Sequence, residues 1–174
     1  MKKVQYLFLF LLMGCSTSKV MTDYDDAINF DDFKTYAFYE DVGAGLHELD
    51  VNRVISAINL ELKQRGFQES ENPDFYINVT AKTSQNLNNN VIGIGLGSGG
   101  RNSGFGISGG IPIGAKKLNE ELVIEFVSAK TDQIIWEGAL NSKIKENRTP
   151  EEKELHYNEV VKRILDTYPP NSKN

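Results

Sequence analysis

Gly106-Ile107-Ser108-Gly109-Gly110 satisfies G-x-S-x-G, and Asp132 and His156 follow it in the hydrolase order of serine, acid and histidine. In a working triad His156 would take the Ser108 proton while Asp132 held the imidazole. A nucleophile elbow also needs a helix directly after its sharp turn, and here Ile111-Pro112-Ile113 reads extended. A serine hydrolase is therefore the third of the functional readings. Gly95 to Gly100 and Gly104 to Gly109 both match G-x-G-x-x-G, but more glycine follows each instead of a helix to face a pyrophosphate. Asp23-Asp25-Asp26, Asp31-Asp32 and Glu151-Glu152-Glu154 form carboxylate clusters with simpler explanations, in a tether, a turn and a helix's first turn. One cysteine and two histidines are too few for a dedicated Cys/His zinc site. No catalytic residue, cofactor or metal ligand is expected.

Cys15 is the residue whose surroundings carry a chemical instruction. Lys2 and Lys3 form a positive start, Tyr6 to Met13 is an unbroken apolar run, and Leu12-Met13-Gly14-Cys15 follows at once. The run is too short for a spanning helix, which needs about 18 or more apolar residues, and it fits a signal peptide ending in a lipobox. Gly14 lets a peptidase approach the bond, Leu12 fills an apolar subsite, and the Cys15 thiol can accept a diacylglycerol. Cleavage would remove Met1 to Gly14 and leave acylated Cys15 first. No second thiol remains to oxidise in an envelope compartment.

The 174 residues carry 19 Lys and Arg against 24 Asp and Glu, a net charge of -5, so no broad basic field is available for a nucleic-acid backbone. Loss of Lys2 and Lys3 with the signal peptide leaves 17 bases against 24 acids, a net charge of -7. Acyl chains on Cys15, rather than a basic patch, must then hold the domain on a membrane. Ser16 stands where an aspartate would follow the cysteine of an inner-membrane protein, and by resemblance to diderm lipoproteins this favours the outer membrane; the leaflet stays open, and with no acidic run directly after Cys15 to suggest surface export the periplasmic side is the expectation.

The elements expected around these residues start with Thr35 to Tyr39, aromatic-rich and suited to a strand. Val51, Val54, Ile55, Ile58 and Leu62 fall on one helical face, with Asp50 as N-cap and Gly66 just past the end. Phe75, Ile77, Val79 and Ala81 alternate with polar residues as in a strand that has one wet face. Leu122 to Val127 and Ile134 to Leu140 flank a polar connection of hairpin length. Thr149-Pro150-Glu151-Glu152 reads as a capping box, and Tyr157, Val160, Val161, Ile164, Leu165 and Tyr168 line one face of the helix it opens. Pro169-Pro170 ends it. The expected fold is α+β: a mainly antiparallel sheet of about five strands, two amphipathic helices on one face, and a glycine-rich hairpin arm.

Ten of the 15 glycines lie between Gly93 and Gly114, interleaved with Ile94, Leu96, Phe105, Ile107, Ile111 and Ile113. Glycine costs chain entropy and packs no side chain, so this arm should be the least stable part of the fold. It is either a loose hairpin or an arm that orders against a membrane or partner. The chain thus divides into a signal peptide (1–14), an acylated tether (15–32), one domain (33–170) with insert 93–114, and a polar tail (171–174).

Several stretches, in order along the mature chain, resemble a bacterial lipoprotein family known as domain-of-unknown-function family 4136. They are the lipobox, Phe33 to Phe38, Leu62 to Phe67, Pro73-Asp74-Phe75, Asp132 to Gly138, and Tyr168-Pro169-Pro170. The resemblance implies a compact, envelope-facing α+β domain, often with a glycine-rich insert, and carries over no catalytic residue. The leading expectation is a lipid-anchored, non-enzymatic accessory or interaction module of the cell envelope, with an envelope protein or the cell wall as partner. The alternative is a periplasmic binding protein for a cell-wall or lipid ligand.

Overall fold

The computed structural model describes residues 18–85 and 117–170. The signal peptide, Cys15, the glycine-rich arm with Ser108, and the polar tail are expectations that lie outside the described residues. In chain order the elements are β1 (Met21–Tyr24), β2 (Thr35–Phe38), α1 (Glu48–Gln64), β3 (Gln68–Glu69), β4 (Phe75–Gln85), β5 (Lys117–Ser128), β6 (Ile134–Lys145) and α2 (Pro150–Leu165). A single 3-10 turn, Phe30–Asp32, lies between β1 and β2.

The sheet has six strands in the order β1-β6-β5-β4-β2-β3. It is mixed, where a mainly antiparallel sheet of about five strands was expected: β2 runs parallel to both β3 and β4. The cause is α1. A 17-residue helix returns the chain by roughly 25 Å, so the strands that follow it run in the direction of the strand before it. A second difference concerns the expected tether. Met21–Tyr24 pairs with Trp136–Ala139, and Val20, Tyr24, Ile28 and Phe30 pack on the core, so the fold begins well before residue 33.

The alternation read in the sequence sets the core. Phe75, Ile77 and Val79 of β4 join Leu122, Ile124 and Phe126 of β5, and Trp136 and Leu140 of β6, under one layer formed by both helices. A register shift between Phe126 and Val127 falls where Ile135 and Trp136, consecutive in β6, are both buried. Gly138 permits the approach of α2: a Cβ there would stand 2.6 Å from Ile164 Cγ2 and 2.7 Å from the Trp136 ring. Gly66 ends α1 at φ 88°, a conformation that glycine adopts without a Cβ penalty. The capping box of α2 is complete, Thr149 serving the Glu152 amide and Glu152 the Thr149 amide. Asp50, expected as the N-cap of α1, lies inside the first turn instead, because the helix starts earlier, with His47 in the cap position.

Candidate functional site

On β5 the core-facing series continues backwards from Phe126 through Ile124 and Leu122 to Glu120, which puts a carboxylate beneath α2 with 3% of its surface exposed. The first half of α2 supplies two of its partners. His156 Nε2 lies 2.9 Å from Glu120 Oε1, and the Tyr157 hydroxyl donates to Oε2 at 3.2 Å. Arg148, on the turn leading into α2, reaches Oε2 at 3.5 Å and stacks over the Tyr157 ring with its guanidinium carbon 5.6 Å from the centroid. Its Nη1 is buried without a hydrogen-bond partner.

A second buried carboxylate stands close by, on α1. Asp50 is 3% exposed and accepts from Arg53 at 2.7 Å and from Lys153 of α2 at 2.8 Å. Burial pushes both carboxyls upward, Glu120 and Asp50 alike. For Glu120 the hydrogen bond and charge of His156, the Arg148 charge and the Tyr157 hydroxyl outweigh it and hold the carboxyl below the usual glutamate range. For Asp50 the bonds and charges of Lys153 and Arg53 do the same. Both are ionised at neutral pH, so neither can act there as a proton donor.

His156 opens onto a groove of about 320 Å³ that runs between the last residues of β6 and the outer side of α2. Lys143, Ile144 and Lys145 form one wall; Glu152, Leu155 and His156 form the other. Leu155 is 70% exposed, an apolar side chain at the lip of an otherwise charged cleft. A carboxylate that holds an imidazole can orient it for proton transfer or for recognition of a polar ligand. Proton transfer would need a reacting group beside the ring. Ser108 is outside the described residues, and Asp132 sits in the β5–β6 turn, where its carboxylate accepts from the Tyr39 hydroxyl at 3.4 Å. The stretch of β5 from Glu120 to Ser128 separates that turn from the His156 pair by roughly 27 Å of strand. The structure thus keeps the acid and the histidine of the G-x-S-x-G reading apart.

Among the described residues, no group of three or more His, Cys, Asp or Glu side chains could hold a metal ion. None of the described helices is long and apolar enough to cross a membrane. His156 appears in the sequence reading only as the third triad candidate; Glu120 and Arg148 do not appear at all. Glu120 could have been found from its parity with Leu122, Ile124 and Phe126, which marks position 120 as core-facing. Arg148 carries no such signal.

The model of a family described as a domain of unknown function, DUF4136, matches residues 20–170. The chain belongs to that family. The match starts at Val20, next to the edge strand β1, and runs to Pro170 beyond α2, so it takes in the whole described sheet and both helices. No curated protein matches the chain. Among solved structures, a PDZ domain protein from Parabacteroides distasonis is similar over 90% of this chain, with a TM-score of 0.59 and 18% identity. This chain spans only 36% of that protein's length. The PelC dodecamer from Paraburkholderia phytofirmans, in two crystal forms, is similar over 86% of this chain with a TM-score of 0.51. Identity there is 8% and 6%, and this chain covers 95% and 96% of PelC. At these identities the likeness is one of fold.

Proposed function

We propose that this DUF4136 protein is a lipid-anchored protein of the bacterial cell envelope, held at the outer membrane on its periplasmic side, and that it works as a non-enzymatic interaction module. The observation that carries the reading is the place of Cys15. The chain's only thiol ends a lipobox, and the family domain begins at Val20, a few residues further on. An acylated Cys15 would leave the folded domain directly on the bilayer surface, where an accessory protein meets its partners. Intact-mass measurement of protein from a diderm host should find Met1 to Gly14 absent and a diacylglycerol and a further acyl chain, such as palmitate, on Cys15. Cys15→Ala should accumulate as unprocessed precursor. Recovery of the wild-type chain as a soluble, unmodified protein overturns the reading.

PelC is a dodecamer, which makes self-assembly one form that such an interaction can take here. A second reading, a binding protein for a cell-wall or lipid ligand, is favoured by the groove at His156, where Lys143 and Lys145 face exposed Leu155. Titration with peptidoglycan fragments and with lipids, followed through the His156 ring resonances, separates the two. A shift confined to residues lining the groove supports the ligand; capture of an envelope protein with an unchanged His156 spectrum supports the module.

A further inference from the structure

We infer that β6 takes an added strand: an extended segment of an envelope protein, acidic at every second position, pairs along the outer edge of β6 from Asn141 to Lys145. The inference rests on the interaction-module reading above and deepens it by naming the surface and the chemistry of the partner.

The backbone is the first argument. β1 covers the outer edge of β6 only over Trp136 to Ala139, whereas β6 runs on to Lys145. The Asp25 N–H donates to the Ile135 carbonyl, so Ile135, Glu137 and Ala139 turn their backbone groups toward β1. By strand alternation Asn141, Lys143 and Lys145 turn theirs the same way, and among the described residues nothing bonds to them from that side. Unpaired N–H and C=O groups along an edge are a template for another strand. Residues 86–116 join β4 to β5, which lie on the other side of β6. Pairing by the N-terminal chain stops at Met21, and the Ser18 carbonyl accepts from the Arg163 guanidinium on α2 instead.

Side chains decide the occupant. Asn141, Lys143 and Lys145 are exposed on the sheet face away from the helices, while Ile144 is buried on the helix side beside Leu155, which is 70% exposed. Lys143 has no ion pair among the described residues, and Lys145 reaches only the exposed Glu152, at 3.5 Å. The nearest acid on that sheet face, Glu121, is held by the Asn141 amide at 3.0 Å. The helix wall of the groove carries Glu152 and Glu159. An added strand therefore gains from acids opposite Lys143 and Lys145, and from an apolar residue between them that packs on Ile144 and Leu155. Two copies of this edge would set lysines against each other, which disfavours a second copy of this chain as the partner.

The test uses the whole mature chain in its soluble Cys15→Ser form and the capped peptide Val-Glu-Val-Glu-Val, followed by amide hydrogen exchange. In the free chain the amides of Asn141, Lys143 and Lys145 should exchange quickly, and bound peptide should slow them by about tenfold or more. Methylation of the two glutamate nitrogens removes the ladder donors, and Val-Lys-Val-Lys-Val reverses the charge; each should abolish the protection. Lys143→Glu should weaken binding several-fold with an unchanged melt. The His156 resonances should move as well, because the docked strand lies beside Leu155, so it is the edge amides that tell an added strand from a small ligand in the groove. Absence of binding, binding that leaves the edge amides fast, or amides already slow in the free chain overturns the added strand. Capture of an envelope protein with these amides still fast overturns it too, and leaves the interaction module standing.

Discussion

The two ends of the layer between the helices and the sheet are filled in opposite ways. At one end four rings close on each other: Phe126 lies 4.6 Å from Phe75, 4.9 Å from Trp136 and 4.7 Å from Tyr168, centroid to centroid. At the other, the same face of β5 offers Glu120, and the space beneath α2 holds two carboxylates and the cations that surround them. The ring end gains from removal of apolar surface from water and needs no exact geometry to do so. The charged end is held only if each buried ion keeps its partners, since an unpaired one costs more than the pair gains. Stability should thus be spread broadly over the ring end and concentrated in a few bonds at the other.

The largest expected effect comes from the ring end. Phe126→Ala removes the ring in contact with the other three and should cost about 3–5 kcal/mol, the usual range for a buried phenylalanine. Chemical denaturation of the described domain measures it. A loss well under 1 kcal/mol would show that the rings are loosely packed and the contrast between the two ends unreal.

Next is the charged end. Glu120→Gln keeps the shape but removes the charge that Arg148 and His156 face, and should cost roughly 1–3 kcal/mol. The pH dependence carries the sharper signature. The Glu120 carboxyl is lowered in the folded state, so its contribution is fully present above the ordinary glutamate range and is lost as pH falls through the folded value. Wild type should lose stability on acidification below about pH 4.5, and Glu120→Gln should lose less over the same range. Parallel acid limbs for the two proteins would mean that Glu120 adds nothing specific. Asp50 has the same sign, and Asp50→Asn should remove a separate part of the acid sensitivity.

What could be read from the sequence follows the same division. Val54, Ile58 and Leu62 on α1, and Val160, Val161 and Ile164 on α2, announce themselves by helical spacing, and all are buried as expected. The two caps that depend on local chemistry, Thr149 with Glu152 and Gly66, are also legible. The parallel pairing of β2 was not, because strand direction depends on where a 17-residue helix returns the chain and on nothing within Thr35 to Phe38. Glu120 was hidden for another reason. A glutamate ahead of a hydrophobic run reads as solvated surface, and only the histidine, tyrosine and arginine brought to it from 28 to 37 residues away make its burial tolerable.

A smaller effect is expected where the sheet outgrows its helical cover. Gln85 pairs with Leu118, so β4 and β5 are still joined by ladder bonds where residues 86–116 connect them. Replacing 93–114 by a short glycine-serine linker leaves that ladder in place and should change stability by at most about 1 kcal/mol, since closure entropy varies slowly with length. The cooperative melt should persist. Loss of folding would place Ile94, Leu96, Phe105 and Ile107 among the core side chains, a third region beside the ring end and the charged end.

The smallest effect tests carboxylates that lack what Glu120 has. On the face of the sheet away from the helices, Glu137 stands opposite Asp23 on β1 and Glu125 on β5, three like charges in a row across neighbouring strands. Burial first, and then the charges of Glu125, Asp23 and Glu121, raise the Glu137 carboxyl above its ordinary range. The sign is the reverse of that at Glu120: the ionised form is disfavoured in the fold, so stability is gained as pH falls through the raised value. Like charges directly opposite cost about 0.2–1 kcal/mol, and Glu137→Gln should recover that amount at neutral pH. The gain should shrink in acid, where wild-type Glu137 is already neutral. Two measurements on one domain then give carboxylates of opposite effect, one buried among cations and one half-buried among its own kind. Destabilisation by Glu137→Gln at neutral pH would instead mean that the row is held by a cation, and that both faces of the sheet stabilise their carboxylates by the same means.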